Sequence, residues 1–317
     1  MDWSYETQRE RDSLDLRGAD LRGVDLSGLP LARILGGLPW ADWLSASAEQ
    51  RDMARVHLEG ALLRGVHLEG AVLNGAYLTD ALLHAAEMEH AELGGARLER
   101  ALLTGAHLEG AYLIGIHMDG SHLSGAYLNE AYLTGANLRN VDLSHAHLER
   151  ADLSYVHLEE ADLSHIYAEE ANFGGAYMQR ADLSRATLTG CDLGGAHLEG
   201  AYLNRAHLET VFCSGRYVTM FEGADLNHVH LEGANLHMAH LEGANLYGAH
   251  LEMADLRSTH FEGANLCNAC LEGAVMTMAH FGEKVMEEED LMRIQRWVED
   301  FPAVLPEATL RGTILDG

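Results

Sequence analysis

The sequence predicts an all-β solenoid, a stack of coils built from short extended pieces and corners, and three observations carry that prediction. Leucine recurs at every fifth residue, alanine stands two places before most of these leucines, and glycine often stands two places after. Leu58, Leu63, Leu68, Leu73, Leu78 and Leu83 open a series that runs to Val218, and a second series in shifted register runs from Phe221 to Phe281. Together they make 46 centres, of which 35 are Leu, with Ala two residues before the centre at 33. A period of five fits neither the 3.6-residue stripe of a helix nor the two-residue alternation of a long strand. Each unit must therefore hold a short extended piece and a corner. If the centre is position i, strand alternation puts i−2 and i on one face and i−1 and i+1 on the other. Ala and Leu then point inward, which places Leu58, Leu63, Leu68, Leu153 and Leu246 in the core. Position i+2, occupied by Gly60, Gly65, Gly70, Gly95, Gly105 and Gly110, falls at the corner, where a residue without Cβ turns at least cost.

Composition narrows the class further. The 317 residues carry 49 Asp and Glu against 21 Lys and Arg, a formal charge of −28, and Lys284 is the single lysine. This excludes a basic nucleic-acid binder. Aromatic residues make up 7% of the chain, too few for a conventional core of large side chains, while the evenly spaced leucines argue against disorder. No apolar run reaches the roughly 18 residues that span a bilayer, and the segment from Met1 to Glu6 lacks the pattern of a signal peptide, so no membrane contact and a cytoplasmic location are expected. Four cysteines do not make a disulfide framework in a chain of this length. Two of them, Cys191 and Cys213, fall at inward positions.

Four segments follow in order. Residues 1–31 hold a first coil, headed by Leu16, Leu21 and Leu26. Residues 32–55 interrupt the repeat, and Ser47 with Gln50 has capping-box spacing, which predicts a short helix to about Arg55. The insertion either covers the open end of the first coils or is a partner-binding excursion. Residues 56–282 form the repeat proper. Within it Cys213 and Phe221 are eight apart where five is expected, so a surface loop is predicted at 214–220. Arg216 would otherwise bury an unpaired guanidinium, and with Tyr217 it is a candidate contact or a tolerated insertion. Residues 283–317 change character. An acidic start at Glu287, Glu288, Glu289 and Asp290 and the spacing of Leu291, Ile294, Val298 and Phe301, flanked by Met292 and Trp297, predict a helix, and two more pentapeptides follow from Ala308 to Gly317. An exposed last coil invites aggregation, so this segment is expected to cover it, either as a twofold dimer through Leu291, Ile294, Trp297, Val298 and Phe301 or as an intramolecular cap.

Units such as Ala151-Asp152-Leu153-Ser154-Tyr155 and Ala244-Asn245-Leu246-Tyr247-Gly248 show the pattern A-[DN]-L-x-x, and the chain resembles the pentapeptide repeat family. The resemblance implies a right-handed quadrilateral β-helix with four pentapeptides to a coil. Forty-six centres then make about 11.5 coils, and at about 4.8 Å per coil the rod is roughly 55 Å long.

Function must lie on the outward positions. The tripeptide His-Leu-Glu recurs at His57, His67, His107, His147, His157, His197, His207, His230, His240 and His250. With four units to a coil, residues twenty apart stack, so His240, His260 and His280 form a column, Glu222, Glu242 and Glu262 a second, and Glu232, Glu252 and Glu272 a third. The other pair of faces carries Asp142, Asp152, Asp162, Asp182 and Asp192. These acidic columns are the candidate partner-binding faces, with a merely solubilising surface as the bland alternative. A metal site needs convergent donors, which a flat open ladder does not offer, so neither metal nor cofactor is assigned. Cys267 and Cys270 flank a corner and could meet, but no second pair accompanies them. His-x-Glu with Cys267-x-x-Cys270 superficially resembles a zinc deaminase, yet no proline precedes the cysteines and His-x-Glu is ordinary repeat here. No phosphate-binding loop and no nucleophile elbow occur, and a filled convex rod offers no cleft. The chain reads as non-enzymatic.

Some pentapeptide repeat proteins are rod-shaped mimics of B-DNA that bind DNA gyrase and protect it from quinolones or peptide toxins. Resemblance to them implies a protein partner, a type II topoisomerase, with no direct contact to nucleic acid. A generic protein-interaction scaffold is the alternative. Charge speaks for mimicry: duplex DNA has one charge per about 1.7 Å, hence about 32 over 55 Å. Between Val56 and Gly282 there are 30 acidic residues and 10 Arg, a net of −20.

Overall fold

The computed structural model describes residues 14–29, 56–209, 211 and 219–281. Among them the backbone is a parallel β-solenoid whose rungs repeat every 20 residues: His57 bridges Tyr77, Tyr77 bridges Arg97, and Leu62 bridges Leu82. Twenty residues are four pentapeptides, so each coil has four sides. Side 1 carries the column through His57, side 2 that through Leu62, side 3 that through His67 and side 4 that through Val72. The longest strands are β1 (Leu14–Asp15) and β2 (Val56–His57), which pair in parallel. Elsewhere each side contributes a single bridging residue at i−1, because the two corner residues leave no room for a longer strand.

The corner has the geometry of a type II turn. Val66 donates its N–H to the Leu63 carbonyl (3.1 Å), and Gly65 between them has φ +61°. That turn demands a positive φ at its third residue, which explains the glycine at i+2. Several corners nonetheless carry side chains, for example His145 (φ 59°) and Arg185 (φ 58°). The left-handed conformation costs about 1–2 kcal/mol there. A corner amide such as that of His145 offsets part of this by donating to Ser164 of the next coil (3.0 Å).

The core is the predicted ladder. Leu58, Leu63, Leu68, Leu153 and Leu246 are at most 1% exposed, and the alanines at i−2 pack between such leucines. Each buried Leu contributes about 1.5–3 kcal/mol of gross transfer energy. The polar groups that enter the core are satisfied: Ser121 donates to the Met118 carbonyl (2.7 Å), Thr219 to Leu193 (2.7 Å) and Thr259 to Leu236 (2.8 Å). Cys191 is inward as predicted, its thiol pointing at the Ala168 carbonyl, and burial pushes its pKa up to about 12.

Two register shifts mark the insertions. Leu14 pairs with Val56, Asp20 with Leu62 and Asp25 with His67, each 42 residues apart, 22 more than a coil. The first coil therefore has three sides before the chain departs after Leu29, and Leu16, Leu21 and Leu26 are only partly buried. Farther on, His197 bridges Met220 and His207 bridges His230, 23 apart, so three extra residues enter between inward Val211 and inward Thr219. This shortens the loop expected at 214–220. Thr219 and Met220 belong to the ladder, because the Thr219 hydroxyl finds a carbonyl inside and Met220 bridges on both sides. The rest of that loop with Arg216 and Tyr217, the 32–55 helix, Cys213, the stripe of Leu291, Ile294, Trp297, Val298 and Phe301, and the terminal pentapeptides lie outside the described residues.

Candidate interaction faces

Sides 1 and 3 face opposite ways, and both carry the His-Leu-Glu units. His at i−1 and Glu at i+1 flank an inward Leu, so both emerge on the same face. Their side chains meet: Nδ1 lies 2.9 Å from Oε1 in His57–Glu59, His207–Glu209 and His240–Glu242, and 3.1 Å in His157–Glu159. The expected columns form. His240, His260 and His280 stack with ring centroids 4.6 and 4.4 Å apart. Glu222, Glu242 and Glu262 accompany them on side 1, and Glu232, Glu252 and Glu272 stand on side 3. Tyrosines, which the reading of His alone missed, take part in the same stacks: Tyr127 lies between His107 and His147 at 4.6 and 4.9 Å, and Tyr177 between His157 and His197 at 4.6 and 5.1 Å. The signal was available, since these tyrosines also occupy i−1 at twenty-residue spacing.

Charge on these faces is partly compensated. Burial acts to raise the pKa of Glu159, but hydrogen bonds from its own backbone and from His157, with the charge of Arg139, more than offset it and hold the carboxyl below its usual range. Glu209 is lowered against burial in the same way, by His207, its own backbone and Thr189. Glu89 goes the other way. Burial raises it, and the nearby charges of Glu87 and Glu109 add to the effect.

Sides 2 and 4 carry the aspartates: Asp142, Asp162 and Asp182 on side 2, Asp152 and Asp192 on side 4. One oxygen of each is engaged locally. Oδ1 accepts the backbone N–H two residues on, from Ser144 (3.0 Å), Ser154 (3.1 Å), Ser164 (2.9 Å), Ser184 (2.9 Å) and Gly194 (2.8 Å). Asp152 also accepts from Thr134 (2.9 Å) and Asn172 (3.1 Å), which ties three coils together. These residues are thus structural as well as acidic, a double role the Asp-x-Ser spacing signals once the turn is known.

The corners add a feature not read from sequence. Arg100, Arg150 and Arg180 pair with an acid one coil earlier, Asp80 (2.7 Å), Glu130 (2.9 Å) and Glu160 (3.4 Å). At the corner after side 2 the stack is instead His145, His165, Arg185, Arg205 and His228, with His145 and His165 4.8 Å apart. Among the described residues that edge is basic. Finally, several groups of three donors converge within 4.8 Å, among them His230, Glu232 and His250; His250, Glu252 and Cys270; and His260, Glu262 and His280.

The sequence matches the description of pentapeptide repeats in eight stretches, residues 52–89, 81–120, 116–154, 131–166, 157–195, 181–210, 220–252 and 244–281. The chain belongs to the pentapeptide repeat family. Its members adopt a right-handed quadrilateral β-helix, in keeping with the four-sided coil seen here. Among solved pentapeptide repeat structures it is similar to HetL, involved in heterocyst differentiation regulation in the cyanobacterium Nostoc, with 31% identity over 70% of this chain and 89% of HetL at a TM-score of 0.30. A trypsin-treated variant of QnrB1, a plasmid-mediated fluoroquinolone resistance protein, matches at 20% identity over 51% of this chain and 78% of that one, TM-score 0.31. A pentapeptide repeat protein of the Arabidopsis thaliana thylakoid lumen matches at 23% identity over 41% and 77%, TM-score 0.24. No curated protein matches the sequence.

Proposed function

We propose that this pentapeptide repeat protein is an acidic binding rod that engages DNA gyrase in the place of duplex DNA. Proteins of the family are generally non-enzymatic scaffolds, and the reading narrows that role to one partner class. The observation that carries it is the match of charge to length. Side 1 runs from His57 to His280 in eleven steps of one coil, about 53 Å at about 4.8 Å per step. Over that length a duplex carries about 31 charges. The repeat carries 30 acidic residues and 10 Arg, a net of −20. The two linear densities agree within a factor of two.

A DNA supercoiling assay with bacterial gyrase, run with and without a fluoroquinolone, tests it. Added protein should slow supercoiling or reduce drug-induced cleavage in a dose-dependent way. Neither effect at ~10 micromolar protein, far above the affinity expected of a specific complex, would overturn gyrase mimicry and leave a scaffold for another protein.

A further inference from the structure

We propose that His250, Glu252 and Cys270 form a binding site for a divalent transition metal of the zinc class, on side 3 near the carboxyl end of the rod. One donor atom from each residue lies within 4.8 Å of the other two. The backbone fixes them: His250 bridges Cys270 on the next coil, Leu251 donates its N–H to the Cys270 carbonyl (2.8 Å), and His250 Nδ1 stands 3.4 Å from Glu252 Oε1. An imidazole, a carboxylate and a thiolate are the donor set that such an ion favours, and three protein ligands leave the fourth tetrahedral position open. The charges also balance, since one carboxylate and one thiolate neutralise a divalent ion.

Convergence alone does not single out this rung. Where ring follows ring, as at His230 and His250 with centroids 4.8 Å apart and planes 2° from parallel, one ion cannot lie in both ring planes. Cys270 replaces the second ring with a small donor, so an ion can sit in the plane of His250 while His230 holds that ring from the other side. The sequence reading set a metal aside because a ladder of like residues is flat and open. Here His250 and Glu252 on one coil and Cys270 on the next converge within 4.8 Å, which answers that objection. Binding sends the thiol proton to solvent as the metal–sulfur bond forms.

The test is a Co²⁺ titration of the full chain under a phosphine reductant, following the thiolate-to-cobalt charge-transfer band. The wild-type protein should show the band, and Zn²⁺ should bleach it. Cys270→Ser should abolish it, Cys267→Ser should keep it, and His250→Gln or Glu252→Gln should weaken Co²⁺ binding at least about tenfold, with circular dichroism unchanged in every variant. Absence of the band, its survival in Cys270→Ser, or wild-type Co²⁺ affinity retained in the His250 and Glu252 variants would overturn the site. A band that requires Cys267 would overturn it in favour of a two-thiol site.

Discussion

At residue scale the repeat divides labour between neighbours along five positions. Leu153 is fully buried, and Leu153→Ala should cost about 2–5 kcal/mol, read as a lower midpoint in urea unfolding; an unchanged midpoint would mean that this side chain does not face inward. Asp152 is outward yet accepts from Ser154, Thr134 and Asn172. Asp152→Ala should therefore cost about 1–3 kcal/mol by orphaning those donors, whereas Asp152→Asn, which keeps an acceptor oxygen, should cost less. Which residues point in was legible from the sequence, because alternation around each centre is local. The place of Tyr127 between His107 and His147 was legible too, at i−1 and twenty-residue spacing. The added role of Asp152 was not, because its bonds to Thr134 and Asn172 depend on how side chains on three coils orient around the turn, which spacing does not give.

Corners and coils set the next scale. Gly110 and Gly135 have the same left-handed backbone, φ +62° and +63°, but a Cβ on Gly110 would lie 2.5 Å from the His90 ring while one on Gly135 would meet nothing within 4 Å. Gly110→Ala should thus destabilise more than Gly135→Ala, whose cost is limited to about 1–2 kcal/mol of backbone strain. Electrostatics predict opposite pH signatures on two coils. The hydrogen bonds of Arg257 hold Asp255 below its usual pKa, so this pair stabilises the fold above the ordinary carboxylate range near pH 4 and its contribution is lost as pH falls through the lowered value. Glu89 is raised, so its ionised form destabilises the folded state at neutral pH and the penalty disappears below about pH 4. Glu89→Gln should accordingly raise the thermal midpoint at pH 7 and leave it unchanged at pH 3.5, while Asp255→Asn should lower it at pH 7. Both register shifts were visible in the spacing, at Leu26 to Leu58 and at Cys213 to Phe221. What spacing could not give was that β1 returns to the same column as β2 after 22 extra residues, since a gap in a repeat does not say where the chain re-enters.

For the whole molecule, the central claim is that a four-sided rod with a net charge of −20 on its repeat stands in for duplex DNA. The most direct measurement is competition: gyrase bound to a fluorescent duplex is titrated with the protein and followed by anisotropy at low and raised salt. DNA mimicry requires the duplex to be released at ~50 mM salt, with the displacing affinity falling steeply toward ~300 mM. A duplex that stays bound at tens of micromolar protein in low salt, or a displacement indifferent to salt, would contradict it.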